Sequence, residues 1–189
     1  MTKLKMSRRQ FGALGTAAAV SPFLSRYVLA EGHADTIRIG WVGPRSGPLG
    51  IFGEADAWLS DALKANFANG VTIGDKTYGI EILLADTQSD PTRASQETRD
   101  MINGQNPDII IASSTPETTN PVADACEAAG VPSITSIAPW ESFFFGRGGT
   151  PGQKSFQWNY HFSFGAGDFA PLYADGWSKI ETNRKVGML

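Results

Sequence analysis

Four apolar runs recur along this chain at ~25-residue spacing, and each of the first three is followed by a segment with helical periodicity. They are TIRIGWV (36–42), IEILLAD (80–86), DIIIAS (108–113) and VPSITSI (131–137). Strands that alternate with helices must be joined by right-handed crossovers, and crossovers build a parallel sheet covered on both faces. DIIIAS is almost uniformly apolar, as such doubly covered strands are. The expected class is therefore α/β, an open parallel sheet with flanking helices.

The intervening segments carry their own signals. Between Gly53 and Asn69, Trp58, Leu59, Ala62, Leu63 and Phe67 form one helical stripe stopped by Asn69-Gly70. VTIGDKTYG holds a Gly-Asp turn that leads into the second strand. PTRASQETRDMING has Pro91 near its start and Gly104 past its end, and PVADACEAAG is a helix closed by Gly130. The pattern changes at APWESFFFGRGGTPGQKS (138–155), a loop longer than ordinary connections. FQWNYHFSF (156–164) then alternates strictly, and Phe169, Leu172, Tyr173, Trp177 and Ile180 stripe a last helix. A strand begins in RKVGML just where the chain ends, which points to a fragment of a longer protein; the alternative is a compact six-strand domain ending at Leu189.

Residues 1–30 read as an export signal rather than as part of the fold. Lys3, Lys5, Arg8 and Arg9 make a basic start, an Ala/Gly-rich middle follows, and Val28-Leu29-Ala30 is a small-residue exit. SRRQF (7–11) resembles the twin-arginine signal. The apolar part is too short to span a ~30 Å bilayer core and is broken by Pro22 and Arg26. Cleavage near Ala30 leaves 11 basic residues against 19 acidic ones, a net charge of −8. That balance argues against nucleic acid or anionic lipid as partner. Cys126, the only cysteine, shares a helix face with Val122, Ala125 and Ala129 and reads as a small buried apolar residue.

Ligands of a parallel sheet gather beyond the carboxyl ends of its strands. Three loops qualify: Gly43–Gly53, SSTPETTNP (113–121) and SIAPWESF (136–143). The first is glycine-rich, but its spacing, Pro44 and Pro48, and the absence of a lysine before Lys64 fit neither a dinucleotide fingerprint nor a phosphate-cradling loop. Asp86 at a strand end could pose as a ribose-binding acid, on weak grounds. In the second loop Ser113, Ser114, Thr115, Thr118 and Thr119 stand before a helix N-terminus, where free N–H groups suit a small anion. Plain N-capping needs only one such hydroxyl. Phe52 and Trp140 lie at the rim, each readable as packing or as recognition, and Phe143–Phe145 as a plug or an interface. No Gly-x-Ser-x-Gly, His-Glu-x-x-His or paired cysteine occurs, and neither His33 nor His161 has an obvious partner, so no catalytic residue, metal or cofactor is expected.

With these residues in view, the stretch from IRIGWVGPRSGPLGIFGEADAW through IEILLADTQSDPTRASQETRDMI to PDIIIASSTPETTNPVADACEAAGVPSITSIAPW resembles the periplasmic substrate-binding proteins of branched-chain amino-acid type ABC transporters. Ser46-Gly47-Pro48 before Phe52-Gly53, Asp86…Asp90-Pro91 and Gly130-Val131-Pro132 carry the likeness. The resemblance implies a two-lobed type I periplasmic binding protein that traps a small amino-acid-like or carboxylate/amide solute and hands it to a permease in the inner membrane. It implies lobe 1 over 36–155, a hinge-crossing strand over 156–165 and the start of lobe 2 over 166–189. Export to the periplasm through the twin-arginine translocon, with cleavage near Ala30, is read from SRRQF instead and is not the usual route of this group. It places ligand contacts on Phe52, Ser114, Thr115, Thr118, Thr135 and Ser136. Trp140 and the Phe143–Phe145 loop lengthen the segment after strand four relative to amino-acid binders, so an aromatic acid, an amide or another small organic solute is as plausible a ligand as leucine. The rivals are an exported oxidoreductase with a bound cofactor and a sensor ectodomain sharing the fold.

Overall fold

The computed structural model describes residues 36–181 together with 183, 185 and 187. The export signal expected at 1–30 lies outside the described residues, and the strand expected in RKVGML lies largely outside them. The elements run β1 (Thr36–Gly43), a 3-10 turn (Gly50–Gly53), α1 (Asp56–Asn66), β2 (Val71–Ile73), β3 (Lys76–Asp86), α2 (Pro91–Gln105), β4 (Ile109–Ser113), α3 (Pro116–Ala129), β5 (Ser133–Ser136), α4 (Trp140–Phe144), β6 (Asn159–Phe162) and α5 (Ala166–Ser178). They form one six-stranded sheet in the order β2-β3-β1-β4-β5-β6. Every pairing is parallel except the β2–β3 hairpin. The expected α/β class is therefore the observed one.

The core lies where α2 and α3 cover one face of the sheet. Val42, Ala85, Ile110 and Ala112 from the strands meet Ala94 and Met101 of α2 and Val122 and Cys126 of α3. These side chains are small, so the helices approach closely, and burial pushes the Cys126 thiol up to about 12. It is a packing residue, as expected.

Several boundaries differ from expectation for identifiable reasons. The second strand is longer, because Gly74 at φ +62 closes a hairpin that zips β2 onto β3. Helix α2 runs through Gly104 and stops at Asn106, which takes the left-handed conformation itself. Its start follows the sequence, with the Asp90 carboxylate capping the Arg93 N–H at 2.7 Å and Pro91 in the first turn. Helix α3 begins at Pro116 rather than Pro121, so Thr118 and Thr119 sit in its first turn and not in a loop; it ends at Gly130, φ +70, as the sequence suggests.

Helix α1 turns the other way from its apolar stripe. Trp58 is 73% exposed, while Asp56 and Ser60 are buried. The preceding loop dictates this rotation: Gly53 packs so close to Pro44 that a Cβ there would lie 2.5 Å from the Pro44 carbonyl, and Asp56 tucks beneath Gly43.

The long loop at 138–155 contains the short helix α4 and a bridge between Thr150 and Lys154. The alternating strand is confined to Asn159–Phe162, with its aromatic face outward: Tyr160 and Phe162 are exposed. Its polar face points inward because β5 offers hydroxyls there. Asn159 Nδ2 donates to Ser133 Oγ at 2.8 Å, and Thr135 Oγ1 meets His161 Nδ1 at 2.8 Å. Helix α5 follows with none of its residues buried.

Candidate functional site

The parallel order β3-β1-β4-β5 sets the loops after these four strands side by side at one edge. The first of them, after β1, is held by Asp86 at the end of β3. Its Oδ1 accepts the N–H groups of Arg45 (2.9 Å), Ser46 (3.2 Å) and Gln88 (2.9 Å), and its Oδ2 accepts the Ser46 hydroxyl at 2.6 Å. Burial pushes this carboxyl up, but the Ser46 hydroxyl and the N–H groups of Gln88, Arg45 and Ser46 outweigh it and hold Asp86 below the ordinary aspartate value. Ser89 adds a second tie, donating to the Ser46 carbonyl at 2.7 Å and accepting the Leu49 N–H at 3.0 Å. Asp86 thus serves the loop's own backbone rather than a ribose.

Gly47 explains why this loop can sit so low. It has φ +82, and a Cβ would lie 2.5 Å from the Gln88 carbonyl oxygen. Gly47→Ala should cost ~1–3 kcal/mol, read as a shift of the urea midpoint. Above this anchored base the 3-10 turn lifts Phe52, which is 52% exposed.

After β4 the chain turns through Ser114 at φ +105 into α3. Ser114 and Thr118 are buried, and the side-chain oxygens of Ser114, Thr115 and Thr118 have no hydrogen-bond partner among the described residues. Thr115 is the N-cap residue of α3, yet its side chain makes no capping bond. Capping therefore does not account for these hydroxyls. Thr119, by contrast, bonds back to the Thr115 carbonyl at 3.2 Å. Three unpaired hydroxyls beside a helix N-terminus form a place that can receive a carboxylate or another polar group.

After β5 the expected residues separate. Ser136 is half-buried at the strand end and Trp140, 43% exposed, opens α4 against the Phe145 ring at 5.8 Å. Thr135 is buried with its hydroxyl engaged by His161. The other histidine nitrogen, Nε2, lies 2.9 Å from the Ala138 carbonyl. A carbonyl only accepts, so Nε2 carries the proton and Nδ1 accepts from Thr135. Thr135 thus shares a sheet face with His161 on β6, while Phe52, Ser114, Thr115, Thr118, Ser136 and Trp140 stand on the rim elements.

Burial, and then the nearby Arg147 charge, push the His161 imidazole below its ordinary value against the opposing pull of the Ala138 carbonyl. The unfolded chain binds that proton more readily, so the histidine contribution to stability is complete above pH 6.5 and is lost as pH falls through the window below it. His161→Gln should flatten the pH dependence of the urea midpoint in that window.

Some contributors had a readable signal that sequence reasoning did not use. Asn120, Asp124 and Glu127 are spaced i, i+4, i+7, one stripe of α3. All three bind the segment after β5: Asn120 Nδ2 donates to the Ser142 carbonyl, Asp124 accepts Arg147 Nε at 2.7 Å, and Glu127 accepts the N–H groups of Gln157 and Trp158. No group of three or more metal-ligating side chains occurs among the described residues.

The structure is thus an open parallel sheet with anchored loops and buried, unsatisfied hydroxyls at one edge. Residues 36–188 match the periplasmic binding protein family, and the chain belongs to it. Among solved structures, a periplasmic binding protein type 1 from Bordetella pertussis Tohama I is similar at 27% identity and TM-score 0.55, over 69% of this chain and 34% of that one. An ABC transporter substrate-binding protein from Sphaerobacter thermophilus is 25% identical at TM-score 0.57, over 76% and 37%. The branched-chain amino acid transporter substrate-binding protein LivJ from Streptococcus pneumoniae, in complex with isoleucine, shares the fold at 21% identity and TM-score 0.55, over 69% and 34%. The aligned part of this chain spans about a third of each of those structures. No curated protein matches it. The family is one of binding proteins, not of enzymes.

Proposed function

We propose that this chain is the solute-recognising lobe of an exported receptor that binds a small amino-acid-like or carboxylate/amide solute and delivers it to an ABC importer. The observation that carries this reading is the trio of unpartnered hydroxyls on Ser114, Thr115 and Thr118 at the N-terminal turn of α3. An unpaired buried hydroxyl is costly unless something completes it, and a bound carboxylate does so in the favourable field of the helix end. Phe52, Ser136 and Trp140 supply the remaining contacts on the rim.

The SRRQF signal supports export through the twin-arginine translocon and a periplasmic location. A second lobe beginning after residue 165, reached through a hinge-crossing strand at 156–165, accords with the exposed α5 and with the longer relatives. Closure of two lobes would then bury the solute.

The test is a thermal-shift screen of amino acids, amides and aromatic acids on the full-length mature protein. A solute at 100 times its Kd stabilises by ~2.7 kcal/mol, a readily visible shift. Replacing Ser114 with alanine and Thr118 with valine should weaken binding at least ~10-fold and leave the unliganded protein as stable or more so, because both hydroxyls are unpaired without ligand. If no solute shifts the melting temperature, the receptor reading fails.

A further inference from the structure

The segment after β5 and the strand β6 line an open pocket of about 390 Å³. Its walls include five aromatic side chains, Trp140, Phe143, Phe144, Phe156 and Tyr160, together with His161. Small-molecule sites commonly run ~300–1,000 Å³ with mostly apolar and aromatic linings.

The walls are fixed from behind. Arg147, whose side chain is fully buried, lays its guanidinium carbon 3.8 Å from the Phe156 ring centre and 4.6 Å from that of Phe143, while its Nε holds Asp124. The imidazole of His161, bonded at both nitrogens, stacks on Phe143 at 4.1 Å with the ring planes 8° apart. Glu127 pins the chain on the far side of Phe156 through Gln157 and Trp158. In front, the Tyr160 ring, 66% exposed, and Trp140, 43% exposed, remain available to a guest.

Charge narrows the guest further. Neither Nη of Arg147 has a hydrogen-bond partner among the described residues, and its one ion-pair partner, Asp124, is more than half exposed. The wall is therefore backed by a poorly compensated positive charge, which disfavours a cation. Aromatic faces favour a flat ring.

Resting on the solute-receptor reading, we infer that this cavity is a preformed subsite for the aromatic ring of an uncharged or anionic solute. A receptor built this way prefers an aromatic solute to an aliphatic one of similar size, and Tyr160 sets part of that preference.

The test is calorimetric titration of the full-length mature protein with 4-hydroxybenzoate, phenylalanine and leucine, using wild type, Tyr160→Ala and Tyr160→Phe. Tyr160 is exposed, so its truncation spares the fold. The expected result is that an aromatic probe binds more tightly than leucine, that Tyr160→Ala weakens it about tenfold, and that Tyr160→Phe restores it. Leucine binding in preference to both aromatic probes overturns the inference and leaves the receptor reading standing. So does unchanged aromatic affinity in Tyr160→Ala, or a crystal structure of the full-length protein in which its own side chains or a second copy fill the cavity. Failure of all three probes, with no other solute found by the thermal-shift screen, overturns both.

Discussion

Truncating Arg147 to alanine should destabilise the protein by about 2–4 kcal/mol, whereas Arg147→Met should cost under about 1.5 kcal/mol. The alanine variant loses the desolvated cation–π contacts to Phe143 and Phe156 and opens a void behind both rings. Methionine refills that volume with polarisable atoms and removes a buried charge that only Asp124 partly compensates. Replacing a buried ionic group by an apolar one of similar size is often neutral. The partner carboxylate is 59% exposed, so losing its cation leaves little penalty on that side. Urea unfolding of the two variants separates packing from charge: equal losses would mean that the guanidinium charge, and not its volume, holds the segment after β5 in place.

This residue also marks where sequence reading stops. The alternation of strand and helix, the parallel sheet and the buried Cys126 follow from periodicity, which local residue spacing records faithfully. Arg147 lies in a glycine-rich stretch with no periodicity, and its partners Asp124, Phe143 and Phe156 come from three separate segments. Only the folded chain brings them together. Helix α1 shows the opposite failure. Its apolar stripe was legible, but close backbone packing of Gly53 on Pro44 fixes its rotation, and a stripe cannot reveal that.

The rim residues divide along the same line. Ser114, Thr115 and Thr118 sit at a strand end and a helix start, and Phe52 in the loop after β1, all of which the element pattern locates. Thr135 was reached by the same reasoning; it shares a sheet face with His161, its register partner on β6, and their side chains bond at 2.8 Å. Strand ends put residues near a loop edge, and the parity of the side chain decides which face of the sheet it takes.

The second large effect belongs to Asp86. Asp86→Ala should lower stability by about 3 kcal/mol, since one carboxylate accepts three N–H groups and a hydroxyl that would otherwise be left wanting. The same variant should weaken solute binding at least about tenfold, because the loop it frees carries Phe52. Asp86→Asn keeps the shape and one acceptor oxygen but loses the charge and the oxygen that accepts the Ser46 hydroxyl, so its cost should be nearer about 1–2 kcal/mol. The pH dependence distinguishes these causes. Asp86 titrates lower in the folded chain than in the unfolded one, so its contribution is fully present above the ordinary aspartate value of 3.8 and is lost as pH falls through the depressed folded value. Urea midpoints followed from neutral pH to well below 3.8 should therefore draw together for wild type and Asp86→Asn at the acid end. A gap that stays constant over the whole range would show that the acceptor lost to the Ser46 hydroxyl, and not the titrating charge, sets the cost of the asparagine variant.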